Sequence, residues 1–363
     1  MAASLLALIL ICTALPGQAQ PISKKDLGLK ALSTVAAQLK SDDSDVRAKA
    51  AEILGETGNK AAMGMLKTML GDKDKYVRIA AAKALWELGS PAGMKTVYAI
   101  LNDIPPQGPV AVTNTPLNEL KIISQNKIRE NAMEAITAMK GEKAAEELFK
   151  LKNDNYGTIR DAAARELARL GHEEELGQFM DALSSEDEAI RYESAVLMTK
   201  ICAGPTAVPL KTILTSEKSL RVRMAALDAL DCNPEKKDAL PELLKLADDP
   251  NATIQYKAVS VLSGIKDPKA QGKLAEIFSG TTDLRLQITA QRGLMLGGGA
   301  PDIHLAQRAM DAANPDIKLE ALDVISAFPE SDAMPLLGQA LNDDNVQVKL
   351  AAALQVLNRF SKK

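Results

Sequence analysis

The chain has 363 residues, 46% hydrophobic but only 3% aromatic, so its apolar content is carried by Ala, Leu, Ile, Val and Met. That length exceeds what one compact core usually reaches, and small aliphatic side chains suit closely packed helices in an elongated array. A formal charge of −3 with no long block of one sign excludes a basic nucleic-acid footprint and a charged disordered tail.

In chain order, the first element is not part of the fold. Residues 5–12 (LLALILIC) form a short apolar core, followed by Pro16 and the small-residue stretch Gly17-Gln18-Ala19. This is the layout of a secretory signal peptide over residues 1–19, with Gln20 as the mature N-terminus. No Lys or Arg precedes the apolar core, so a buried helix or an uncleaved anchor stays open as the alternative. The run 2–15 is too short to span a bilayer, and no other segment is apolar enough to do so. Residues 20–363 are therefore expected in the periplasm or outside the cell, with no membrane span.

From residue 46 onward an aliphatic residue followed by a basic or amide residue recurs. The copies are Val46-Arg47, Val77-Arg78, Ile128-Arg129, Ile159-Arg160, Ile190-Arg191, Val222-Arg223, Ile254-Gln255, Leu286-Gln287, Ile317-Lys318 and Val348-Lys349. The intervals are 31, 51, 31, 31, 32, 32, 32, 31 and 31 residues, so one step carries 20 extra. Four residues after each anchor stands Ala, or Ser194 in the fifth copy, and eight after it Leu, Ile, Met or Val. Offsets 0, +4 and +8 share one face of an α-helix, and a small residue mid-stripe lets a neighbouring helix approach. A polar turn rich in N-cap residues precedes most anchors, and a second apolar helix precedes each turn. Each unit is a helix, a turn and a second helix that cannot bury its faces alone, so the units must stack. The spacing predicts an all-α solenoid of about ten two-helix repeats over roughly 26–360.

The pattern Asp74-Lys75-Tyr76-Val77-Arg78-Ile79-Ala80-Ala81 resembles the HEAT family, in its short bacterial form similar to phycobilin lyase subunits. The resemblance implies an inter-repeat ladder of Asp and Arg, with turn acids such as Asp43, Asp74 and Asp187 as candidate partners. It also implies a docking scaffold, with an enzyme or accessory lyase-type subunit as the alternative. HEAT enzymes that hydroxylate deoxyhypusine use repeated His-Glu pairs, whereas His172-Glu173 occurs once and His304 stands alone. The imidazole inventory is too thin for a transition-metal site, so no metal, cofactor or catalytic residue is expected.

Four further features carry expectations. The extra residues fall between the helices of the third repeat, where Pro and Gly make residues 102–117 a non-helical insertion. It projects from the rim and presents Val110 and Val112 as a candidate contact, or is a tolerated insertion. Offsets +2, +6 and +9 should line the concave face. Tyr192, Met224, Tyr256, Ile288 and Leu319 at +2, with Trp86 at +9, form a candidate stripe for a protein or peptide partner. The alternative is that tighter curvature buries the column. Cys202 and Cys232 end equivalent helices but lie 12 and 10 residues past their anchors. Both a disulfide and a pair of buried thiols remain open. Finally, Leu350, Leu354 and Leu357 leave the last repeat without a polar cap, an end that a partner or a second copy would cover.

Overall fold

The computed structural model describes residues 23–106 and 116–361. Residues 1–19, Gln20, Val110 and Val112 lie outside that range. Among the described residues the chain forms ten helix pairs and no strand. The first three are α1 (Lys24–Gln38) with α2 (Ser44–Glu56), α3 (Met63–Met69) with α4 (Lys75–Glu87), and α5 (Met94–Leu101) with α6 (Pro116–Lys140). Next come α7 (Ala145–Leu151) with α8 (Gly157–Leu170), α9 (Glu173–Ala182) with α10 (Glu188–Ile201), and α11 (Ala207–Ser216) with α12 (Leu220–Cys232). The last four are α13 (Leu240–Leu246) with α14 (Ala252–Ser263), α15 (Pro268–Gly280) with α16 (Leu284–Leu296), α17 (Ile303–Met310) with α18 (Pro315–Ile325), and α19 (Glu330–Ala340) with α20 (Val346–Ser361).

The small residue at +4 is what permits the stacking. Ala50, Ala81, Ala132, Ala163, Ala226, Ala258, Ala290, Ala321 and Ala352 are all fully buried. Helices α2 and α4 approach closely. A Cβ on Gly55 would come within 2.7 Å of the Ala84 backbone, so only glycine allows that approach.

The turns divide two tasks between two positions. Three residues before the anchor, Asp43, Asp74, Asp187, Asn251, Asp283 and Asn345 accept backbone N–H groups and cap the even-numbered helices. Five before it stand the acids that bridge to the preceding repeat. Arg47 grips Asp72 through two bonds of 2.9 Å. Arg129 reaches Asp154 at 2.6 Å, Arg191 reaches Glu217 at 2.6 Å, Arg223 reaches Asp249 at 3.1 Å, and Lys318 reaches Asp343 at 2.6 Å. The expected ladder therefore exists, but Asp43, Asp74 and Asp187 are caps rather than rungs. A short side chain at the cap position is already committed to its own helix, which leaves the earlier acid for the neighbour.

The row of pairs returns on itself. Helix α1 packs along α20, and α2 also meets α20. Leu27, Ala31 and Val35 from α1 share one apolar cluster with Val348, Leu350, Ala352 and Val356 from α20, all fully buried. Lys24 pairs with Glu330 at 2.6 Å, and Lys30 donates to Asn342. The C-terminal flank expected to lie open, Leu350 with Leu354 and Leu357, is thus covered within the chain. The premise of an uncapped end for self-association is corrected.

Cys202 and Cys232 form a disulfide with Cα atoms 5.5 Å apart. Cys202 follows α10 in the left-handed region at φ 48°, which turns its side chain back toward α12 and absorbs the two-residue offset. Residues 107–115 of the expected insertion lie outside the described residues, and Pro116 and Leu117, expected to be non-helical, instead open α6. That helix therefore extends well ahead of its anchor and exposes Leu117, Leu120 and Ile123.

Candidate functional site

Even-numbered helices line the concave side, because side chains reach between helices two apart along the row. Glu134 on α6 meets Lys200 on α10 at 2.9 Å, and the Tyr256 hydroxyl on α14 donates to Glu320 on α18 at 2.6 Å. A cavity of about 460 Å³ opens on this face across α2, α4, α6, α8 and α10. Its apolar lining is Ala48, Ile79, Ala80, Ala135 and Ala138. Charge surrounds it in the form of Asp45, Glu52, Lys83, Glu134, Glu166, Arg169 and Lys200.

The helical register explains these positions. Glu52, Lys83 and Glu134 each stand six residues after their anchors, in a column that runs on through Arg165, Val196, Asp228, Ser260, Arg292, Asp323 and Leu354. Seven of these ten positions are charged, a signal in the sequence that the apolar +2 column overshadowed.

The electrostatics are mostly paired. Glu134 lies between Arg165 at 2.8 Å and Lys200 at 2.9 Å. Burial pushes its pKa up, but the Lys200 hydrogen bond and the two positive charges outweigh that and hold it below the usual carboxylate range. Glu166 is 1% exposed and is clamped by Arg169 at 2.6 Å. Near Lys83, burial together with Glu56 and Glu52 raises the Glu87 pKa, with Lys83 opposing. Among the described residues Lys83 and Asp45 have no oppositely charged group within 4 Å, so both are free to meet a ligand.

The apolar stripe is not a continuous surface. Ile288 is fully buried, and Tyr192, Met224, Tyr256 and Leu319 are half-buried against the core. Arg285 stacks over the Tyr256 ring at 3.8 Å, and Glu320 also accepts from Arg285 at 2.9 Å and from Thr289 at 2.6 Å. Burial, with help from Glu320, pushes the Tyr256 hydroxyl up to about 12. Curvature has turned this side chain into an inter-repeat lock. Trp86 is 37% exposed on α4, outside the cavity. His172 stands at the N-terminal boundary of α9 without a side-chain capping bond, with Nε2 3.1 Å from Glu142 and its ring against Phe149 at 5.2 Å. His304 is exposed on α17. Among the described residues no three His, Cys, Asp or Glu side chains gather as a metal site, and no helix is long and apolar enough to cross a membrane.

Several solved structures are similar. Human deoxyhypusine hydroxylase in complex with glycerol is 14% identical over 77% of this chain and 99% of that one, with a TM-score of 0.32. The CpcE–CpcF complex of phycocyanin lyase from Nostoc sp. PCC7120 is 19% identical over 76% and 92%, with a TM-score of 0.30. Kap121p is 16% identical over 92% of this chain and 42% of its own length, with a TM-score of 0.35. No curated protein matches the sequence. The model of HEAT repeats matches residues 32–108, 146–231 and 207–295, more than half of the chain. Together with ten stacked helix pairs and five ladder rungs, that match makes the chain a member of the HEAT-repeat family.

Proposed function

We propose that this protein is an exported, non-catalytic scaffold that holds a segment of a partner protein in the concave cavity of its first five repeats. The observation that carries the reading is the lining. Stacking requires apolar residues at 0, +4 and +8, yet the cavity places Lys83 and Asp45 unpaired beside an apolar floor. Charge that folding does not need, on α2 and α4 within a cavity that spans five helices, suits recognition of an extended segment. The ion pairs argue for binding over catalysis, since Glu134 is held ionised by its neighbours rather than poised to exchange a proton. The Cys202–Cys232 disulfide supports an oxidising compartment, and with it periplasmic or secreted residence.

A photo-crosslinker at Ala138, inside the cavity, tests this in the native envelope fraction. A discrete protein adduct is expected, lost on Lys83→Glu, on a protein whose N-terminus is Gln20. Adducts of equal yield from Ala275, exposed on α15, or cytoplasmic recovery with residues 1–19 intact, would overturn the proposal.

A further inference from the structure

The ladder has a broken rung where a ligand fits. Rim cavities open beside the rungs at the fifth-to-sixth, sixth-to-seventh and ninth-to-tenth junctions. Each contains its own cation and acid: Arg191 with Glu217, Arg223 with Asp249, Lys318 with Asp343. A cavity of about 500 Å³ opens in the same place between the second and third repeats, lined by Lys75, Arg78, Lys95, Thr96 and Asp103 among others. There the partner acid is missing. Five residues before the third anchor stands Ile123, which is 64% exposed on α6. Between residues 102 and 127 the sequence contains only two acids, Asp103 and Glu119. Asp103 is taken by Lys75, and Glu119 is exposed on α6.

Arg78 is left without its counterpart. Among the described residues its Nε is buried with no hydrogen-bond partner, whereas the equivalent atom of Arg47 donates to Asp72 at 2.9 Å. Lys95, on the exposed side of α5, adds a second cation with no carboxylate within 4 Å among the described residues. Three cations thus face one acid. A buried guanidinium donor left unsatisfied costs stability, and it persists where something else satisfies it.

We propose that this cavity is a receptor for a carboxylate from outside the chain, an Asp or Glu side chain of an acidic peptide that completes the rung in trans. The planar fork of Arg78 favours a carboxylate, with Lys95 and Thr96 as further donors. The site is on the rim and shares no residue with the concave cavity, so it stands or falls independently of it.

The test titrates the full chain with acetyl-Asp-Asp-Asp-amide, acetyl-Asn-Asn-Asn-amide and inorganic phosphate. Calorimetry and the arginine Nε–H signals in nuclear magnetic resonance are followed. The acidic peptide should bind and shift the Arg78 signal, and the neutral one should not. Arg78→Gln should weaken binding by about ten- to a hundredfold, the size of a charge-assisted hydrogen bond, and Arg78→Lys by less. Asp103→Asn should strengthen it by about two- to fivefold, since an internal competitor for the cations is removed. Arg78→Gln should not lower the melting temperature, unlike Arg47→Gln at an intact rung. Equal binding of the neutral peptide, unchanged binding by Arg78→Gln, or phosphate binding as tightly as the acidic peptide would each overturn the assignment.

Discussion

Each ladder acid acts on two partners from one carboxylate. Asp154 accepts the Tyr156 backbone N–H at 2.9 Å and pairs with Arg129, whose side chain is 1% exposed. Removing the acid strands a buried guanidinium, so Asp154→Ala should cost about 3–5 kcal/mol in denaturant unfolding. Arg129 keeps the Leu101 carbonyl at 2.8 Å, which favours the lower end. Acid should act on the same groups. Burial raises the pKa of Asp72, Asp154 and Asp343, but their cation partners and backbone donors win and leave all three lowered. A lowered folded pKa means stability that is complete above the unfolded value, about 3.9 for Asp, and lost as pH falls through the folded values. Thermal melts between pH 6 and pH 2 should show this loss, with a shallower slope in Asp154→Asn. The sequence placed acids in every turn but not their roles. Asp72 and Asp74 are both within reach of an arginine, and only the backbone shows that one is spent as a cap.

At the scale of helices, the apolar columns decided almost everything. An alanine that must be buried at +4 in nine of ten repeats cannot be placed on a strand or in a loop without losing its face, and all nine are buried. Curvature is where that reading ended. A column on the concave side is open in a gentle arc and buried in a tight one, and residue types alone do not fix the radius. Hence Tyr256 and Ile288 belong to the packing, while the charged column at +6 is what the inner face presents. Spacing alone also left the cysteines unresolved, because the left-handed residue at the end of α10 has no sequence mark. Their bond ties the ends of α10 and α12 across 30 residues. Replacing both with serine should cost about 3–4 kcal/mol by the loop-entropy relation. Hydrogen exchange should quicken in α10 and α12 and stay unchanged in α2 and α4. Equal quickening everywhere would mean that the repeats are more strongly coupled than their separate apolar clusters imply.

For the whole molecule the decisive contact is between its first and last described helices. No periodic pattern foretells it, since each repeat looks alike whether or not the last one meets the first. Leu27→Asp would place a charge in the shared cluster, where Leu27 is fully buried. Hydrogen exchange should then accelerate selectively in α1 and α20 while α10 to α14 hold. Rapid exchange of α1 in the unaltered protein would show that the closure is not maintained. An open stack of repeats behaves as a one-dimensional chain whose ends fray, because each end unit has one neighbour. Joining the ends gives that chain a periodic boundary: every unit has two neighbours, and melting has no favoured starting point. The seal also orders events in time. Lys24 and Glu330 are 306 residues apart, and bringing such positions together in an unstructured chain costs about 5 kcal/mol. Once the intervening pairs have stacked, curvature has already absorbed most of that entropy. The seam between α1 and α20 should therefore form last, and until it does the concave cavity is reachable from the side.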